Sequence, residues 1–147
     1  MGDHIQHTHR LGVCIESVEG EELTLRLPYR EELVGNPETG ALHGGVMTML
    51  LDQTLGMSAI CNDSTRPSVT PTLDLRIDHL RIAPAGKDIL ATAHIYRSTK
   101  RVLFAEGYAW CEGERDKPIA RATGSWVRVG EVDMSWFLGP DHAGEPL

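Results

Sequence analysis

The chain has 147 residues, 41% of them hydrophobic and 24% charged, which suits one ordinary globular domain with a real core. Its formal net charge of −7 and pI near 5.4 argue against nucleic acid as the main partner, because that role calls for a basic face. Cys14, Cys61 and Cys111 are odd in number and widely spaced, so they form neither a disulfide framework nor a C-x-x-C metal or redox pair. The scattered histidines lack ligand spacing, and no metal or cofactor is expected.

In chain order, residues 1–10 read as a polar, histidine-rich leader without the apolar centre of a signal peptide. Leu11 to Glu19 and Glu22 to Leu27 read as two strands around a turn, the second alternating Leu23, Leu25 and Leu27 with Thr24 and Arg26. A loop follows, broken by Gly35, Asn36, Pro37 and Gly40. The next segment, about His43 to Cys61, has no proline and is apolar on nearly every side. That composition predicts one long helix wrapped by other structure.

Four strand-like segments come next: Val69 to Ile82, Asp88 to Arg97, Val102 to Cys111 and Ile119 to Val129. Short turns separate them, which predicts an antiparallel meander. In the first, strict alternation would put Leu73, Leu75 and Ile77 on one face and Thr72, Asp74, Arg76 and Asp78 on the other. Gly139 to Leu147 reads as a tail, leaving a single domain over 11–138. One buried helix in one antiparallel sheet is an α+β arrangement. No uncharged apolar run reaches the roughly 18–20 residues of a membrane span. The expected location is the cytoplasm, with no membrane partner.

The start of the helix is the first feature with chemical content. Gly44 and Gly45 follow His43, and glycine there costs helix stability. Bare backbone N–H groups at a helix N-terminus can hold a carbonyl oxygen as it becomes an oxyanion; the alternative is that the glycines only allow tight packing. Asp52 is the second feature, a carboxylate in an otherwise apolar helix, which must be exposed, paired or lining a site. Gly44 and Asp52 are eight residues apart, so a helix separates them by roughly 12 Å. An acid and its oxyanion donors should each lie about 3 Å from one reacting carbon. If both act, they come from different subunits of a symmetric dimer with two shared sites.

The stretch GNPETGALHGGVMTMLLDQTLGMSA (Gly35 to Ala59) resembles the motif of hotdog thioesterases of the phenylacetate-pathway (PaaI-like) type, and TLDLRIDHLRIAPAG (Thr72 to Gly86) looks like that family's following strand and turn. The resemblance covers about residues 20–130. It implies the hotdog fold, an antiparallel sheet wrapped around a central helix, and hydrolysis of an acyl-CoA thioester. Asp52 matches the acid that acts as nucleophile or as general base toward water. Gly44 and Gly45 match the donors to the thioester carbonyl, and His43 the histidine that orients the loop or substrate. Asn36 resembles the loop asparagine that positions thioester or water, and Thr72 the strand hydroxyl that places the water. Gly56 falls where some relatives carry a threonine.

Arg81, Lys100 and Arg101 are candidates for the CoA phosphates, or plain surface charges. Leu51 and Leu55, with Met47 and Met57, either line an acyl pocket or belong to the core. The expected assembly is a homodimer, or a homotetramer made as a dimer of dimers. The competing readings are a hotdog protein that binds acyl-CoA without cleaving it, and a hydratase or dehydratase on the same fold.

Overall fold

The structure, a computed structural model, describes residues 6–62 and 68–130, with the backbone alone for Gln6, Ile60 and Cys61. The tail expected at 139–147 and the first five residues of the leader lie outside the described residues.

Strands β1 (Cys14–Glu19) and β2 (Glu22–Leu27) form a hairpin, then a short 3-10 turn (Glu31–Leu33) leads to a small ribbon of β3 (Val34–Asn36) and β4 (Ala41–Leu42). Helix α2 (Gly44–Met57) follows, continued after Ser58 by one turn, α3 (Ala59–Asn62). Strands β5 (Thr72–His79), β6 (Ile89–Ser98), β7 (Val102–Cys111) and β8 (Ala120–Val127) complete the domain. Six strands make one antiparallel sheet in the order β1-β2-β6-β7-β8-β5, and it cups α2 as the composition of the helix predicts.

Packing explains why the helix lies where it does. Its inward positions Met47, Leu50, Leu51, Thr54, Leu55 and Met57 are buried. They face Leu23, Leu25 and Leu27 on β2 and the small side chains Ala91, Ala93, Ala105 and Ala109 on β6 and β7. Small residues there let the helix sit close to the sheet. Leu50, Leu51 and Leu55 are wholly buried, each worth about 1.5–3 kcal/mol relative to exposure.

Three expectations are corrected. The meander holds for β6, β7 and β8, but β5 does not neighbour β6; it pairs with β8 at the far edge. The reason is that α2 carries the chain across the sheet, and residues 80–88 bring it back over about 14 Å, three strand spacings. The alternation of β5 also breaks. Its register on β8 shifts between Thr72 and Asp74, so Leu73 is an extra residue and is 57% exposed. Thr72 thereby joins the helix-facing side with Leu75 and Ile77.

Thirdly, residues 6–10 of the expected leader form a short helix, α1 (Gln6–Arg10). Thr8 is buried there and its hydroxyl donates to Gln53 on α2 at 3.4 Å. Among the described residues no helix is long and apolar enough to cross a membrane.

Candidate active site

The loop before α2 is built to present the helix start. The Asn36 side-chain oxygen accepts from the Glu38 N–H at 3.0 Å, and its carbonyl accepts from Gly40 N–H at 2.8 Å. This Asx-type turn fixes the loop and leaves the Asn36 amide nitrogen as a donor. The loop lies so tightly on the cap that a side chain at Gly35 would start 2.7 Å from His43 Cα.

His43 is the N-cap. Its Nδ1 accepts from the Gly45 N–H at 2.9 Å, and its carbonyl accepts from Val46 N–H at 3.0 Å. A neutral imidazole that accepts at Nδ1 carries its proton on Nε2, so neither ring nitrogen is left to take a proton. The two glycines consequently differ. Gly45 N–H is held by His43, and a Cβ on Gly45 would sit 2.9 Å from Nδ1. Gly44 N–H has no partner among the described residues, and a Cβ there would meet only His79 Cε1, at 3.8 Å. The chain's own packing thus explains Gly45 and leaves Gly44 open.

Gly44 opens into a cavity of about 470 Å³ between the Asn36 loop, the start of α2 and the segment after β5. His79, which sequence reasoning missed, lines it beside Gly44. Alternation along β5 places His79 on the face of Leu75 and Ile77; what the sequence does not show is that the Asn36 loop and the start of α2 meet it there. Met47 also lines the cavity, whereas Leu51 and Leu55 are wholly buried in the core of this chain and offer no surface to a ligand.

Asp52 is half-buried two turns further along α2, and its Oδ1 accepts from the Thr72 hydroxyl at 2.7 Å. One helix carries both Gly44 and Asp52, about 12 Å apart along the axis. The second carboxylate oxygen of Asp52 remains available.

The three candidate cations are not brought together. Arg81 lines the cavity with Gly44, its Nε donating to the Pro118 carbonyl at 3.3 Å and its terminal nitrogen to the Lys117 carbonyl. Carbonyls hold the guanidinium without neutralising it. Lys100 and Arg101 sit exposed in the turn before β7, at the Thr72 end of the sheet. The ten residues of β7 put about 30 Å between the two ends.

Titratable groups with displaced ionisation lie elsewhere. Arg26 bonds Glu16, Asp88 and Glu112 at 2.8–2.9 Å, tying β1 and β2 to the neighbouring turns. The Tyr29 N–H, then Arg26, holds the Asp88 carboxyl below its ordinary range. Burial pushes the Cys111 thiol up, which makes it a poor nucleophile.

A family model described as the Thioesterase superfamily matches residues 39–117, more than half of the chain. The chain belongs to the Thioesterase superfamily. That match takes in the Asn36-loop end, the cap, Asp52, Thr72 and Arg81. A Pseudomonas aeruginosa crystal structure is similar to this superfamily member at 40% identity and a TM-score of 0.75, covering 85% of this chain and 91% of that one. The PaaI protein from the phenylacetic acid degradation operon of E. coli shares the fold, with a TM-score of 0.75 at 19% identity over 88% of each chain. The medium/long-chain acyl-CoA thioesterase YigI of E. coli K12 is 28% identical, over 84% of this chain and 86% of its own. Two further curated relatives, 36% and 30% identical, are spanned over 64% of their length.

Proposed function

We propose that this superfamily member is an acyl-CoA thioesterase that works as a symmetric dimer, each site combining the Gly44 amide of one subunit with Asp52 of the other. The observation that carries this reading is the open Gly44 N–H, facing a cavity 12 Å from the nearest acid on its own helix. The acyl carbonyl rests on Gly44 N–H, at the positive end of α2. Asp52, steadied by Thr72, acts on the carbonyl carbon or through a water. His43 positions the amides by capping and is not the base. A hydratase needs a histidine free to exchange protons, and the cap takes His43 out of that role. The relative YigI, named for medium/long-chain acyl-CoA, supports the substrate class.

Strand β5 supplies the dimer. It is an edge strand, and antiparallel pairing with its copy is self-complementary. Centred on Leu75, the pairing sets Asp74 opposite Arg76 twice; centred on Ile77, it sets Arg76 opposite Asp78 twice. Centred on Arg76, it would oppose like charges throughout. Either favourable register lays Thr72, and with it Asp52, against residues 78–82 of the second copy, beside Gly44 there. The same symmetry brings Lys100 and Arg101 of one copy toward the cavity that holds Arg81 of the other. Tyr96 and Phe104, 6.4 Å apart on the sheet face away from α2, supply a further surface for a dimer of dimers. The reaction needs no cofactor or metal, and a cytoplasmic location fits the free thiols Cys14 and Cys111.

The test is thiol release from short, medium, long and aromatic acyl-CoAs by wild type and Asp52→Ala in parallel. The expected result is hydrolysis that collapses in the variant. Wild-type chain that binds acyl-CoA and cleaves none would overturn the enzymatic reading.

A further inference from the structure

The cap leaves the proposed oxyanion site one donor short. The Gly45 N–H is spent on His43 Nδ1 at 2.9 Å, so the Gly44 N–H faces the cavity alone. A carbonyl oxygen that takes on negative charge is held better by two donors than by one. Four side chains lining that cavity carry N–H groups: Asn36, His43, His79 and Arg81. Three of them are committed elsewhere. Arg81 is turned to the Pro118 and Lys117 carbonyls, the Asn36 side chain is anchored on the Glu38 N–H, and the His43 ring folds over Gly45.

His79 is exposed, and its ring has no partner among the described residues. Among those residues it is also the only group that a Cβ on Gly44 would meet within 4 Å, with Cε1 at 3.8 Å. Cε1 is bonded to both ring nitrogens, so whichever of them carries the proton is one bond from that contact. A Cβ lies about 2.5 Å from its own backbone nitrogen, which puts Cε1 no more than about 6 Å from the Gly44 nitrogen. At a helix start the Cα–Cβ direction and the free N–H both point toward the N-terminus, so the ring and the amide look into the same space. That space is the cavity of about 470 Å³. One oxygen at ordinary hydrogen-bond length from two donors bridges about 6 Å. Thr72 and His79 lie at opposite ends of β5 on its helix-facing side. In the antiparallel pair of subunits, His79 of one chain therefore comes to the Thr72 and Asp52 end of the other.

We propose that His79 is a catalytic residue, the second donor to the acyl carbonyl oxygen. The inference rests on the thioesterase reading and completes its oxyanion site. The oxygen accepts from the Gly44 N–H and from the His79 ring N–H of the same subunit. As an oxygen of water or of Asp52 bonds to the carbonyl carbon, the carbonyl π pair moves onto the oxygen and both hydrogen bonds strengthen. The pair returns as the carbon–sulfur bond breaks. CoA leaves as the thiol, the proton on its sulfur coming from the water consumed, and His79 keeps its own proton throughout.

Two measurements test it. His79→Phe keeps a flat ring and removes the donor; kcat for a medium-chain acyl-CoA is expected to fall about a hundredfold while KM changes little. His79→Gln keeps an N–H at similar reach and is expected to lose less. The second readout needs no turnover. A ketone analogue of the same acyl-CoA, with methylene in place of sulfur, carries ¹³C at the carbonyl, whose resonance moves downfield as donors polarise it. Bound to wild type, the resonance is expected well downfield of the free analogue; bound to His79→Phe, it is expected to return part of the way. An unchanged kcat in His79→Phe, or the same carbonyl resonance in both proteins, overturns the proposal. A wild-type chain that cleaves no acyl-CoA, or full turnover by Asp52→Ala, would instead overturn the reading beneath it.

Discussion

Replacing each glycine of the cap by alanine separates the two roles that the structure assigns to neighbouring residues. A methyl group at Gly45 would lie 2.9 Å from Nδ1 and 3.2 Å from Cε1 of His43, closer than real side chains approach. The imidazole must swing away and the N-cap bond is lost, a cost of about 0.5–2 kcal/mol. At Gly44 the nearest atom is 3.8 Å off, and φ is not positive, so alanine fits without strain. There the exchange is expected to be neutral or stabilising by up to about 1 kcal/mol, because the unfolded chain loses freedom. In a domain of this size 1 kcal/mol moves Tm by about 3–5 °C. Circular-dichroism melts should therefore show Gly45→Ala several degrees below wild type and Gly44→Ala at or above it. Thiol-release kinetics should show Gly44→Ala losing most of its turnover, since the methyl group stands in the cavity beside the amide. A Gly44→Ala chain as destabilised as Gly45→Ala, or one both stable and fully active, would refute the division of roles.

Three other outcomes follow from the same geometry. Mixing inactive Asp52→Ala with inactive Gly44→Val subunits should restore about a quarter of wild-type activity, because half of randomly re-paired dimers carry one intact shared site; no recovery after confirmed subunit exchange would place both groups in one chain. Arg81→Ala should raise KM for acyl-CoA several-fold with little change in kcat, and an unaltered KM would remove Arg81 from phosphate binding. Because the Asp88 carboxyl is held below its ordinary range in the fold, its contribution is present above about pH 4 and is lost as pH falls through the lower folded value. Thermal melts between pH 5 and pH 3 should show a falling Tm whose slope lessens in Asp88→Asn, and identical slopes would show that this carboxylate does not drive the loss.

The central helix and the positions of the strands were legible because they depend on local patterns: the proline-free apolar run across α2, and the alternation of Leu23, Leu25 and Leu27. Pairing order was not, because what places β5 beside β8 is the path of the chain across the sheet. The bulge at Leu73 escaped for a related reason. An extra residue is defined only against its partner strand, and here it reassigns Thr72. In the site, the spacing of Gly44 and Asp52 was readable from the rise of a helix. The difference between Gly44 and Gly45 was not, since it turns on which way the His43 ring folds back. Leu51 and Leu55 carry the same side chain whether they line a pocket or fill a core, so only packing could place them.

The position of β5 at the sheet edge also bears on when the protein is active. In the shared-site arrangement, the strand that closes the dimer is the one whose two ends hold Thr72 and His79. Assembly and the making of the site are then a single event. On that reading a newly synthesised chain is latent, and activity per chain should rise with concentration until the dimer is saturated. Dilution is the simplest inhibitor, whereas an excess of Asp52→Ala subunits leaves turnover per wild-type chain unchanged, because each wild-type Asp52 still meets an intact Gly44 in its partner.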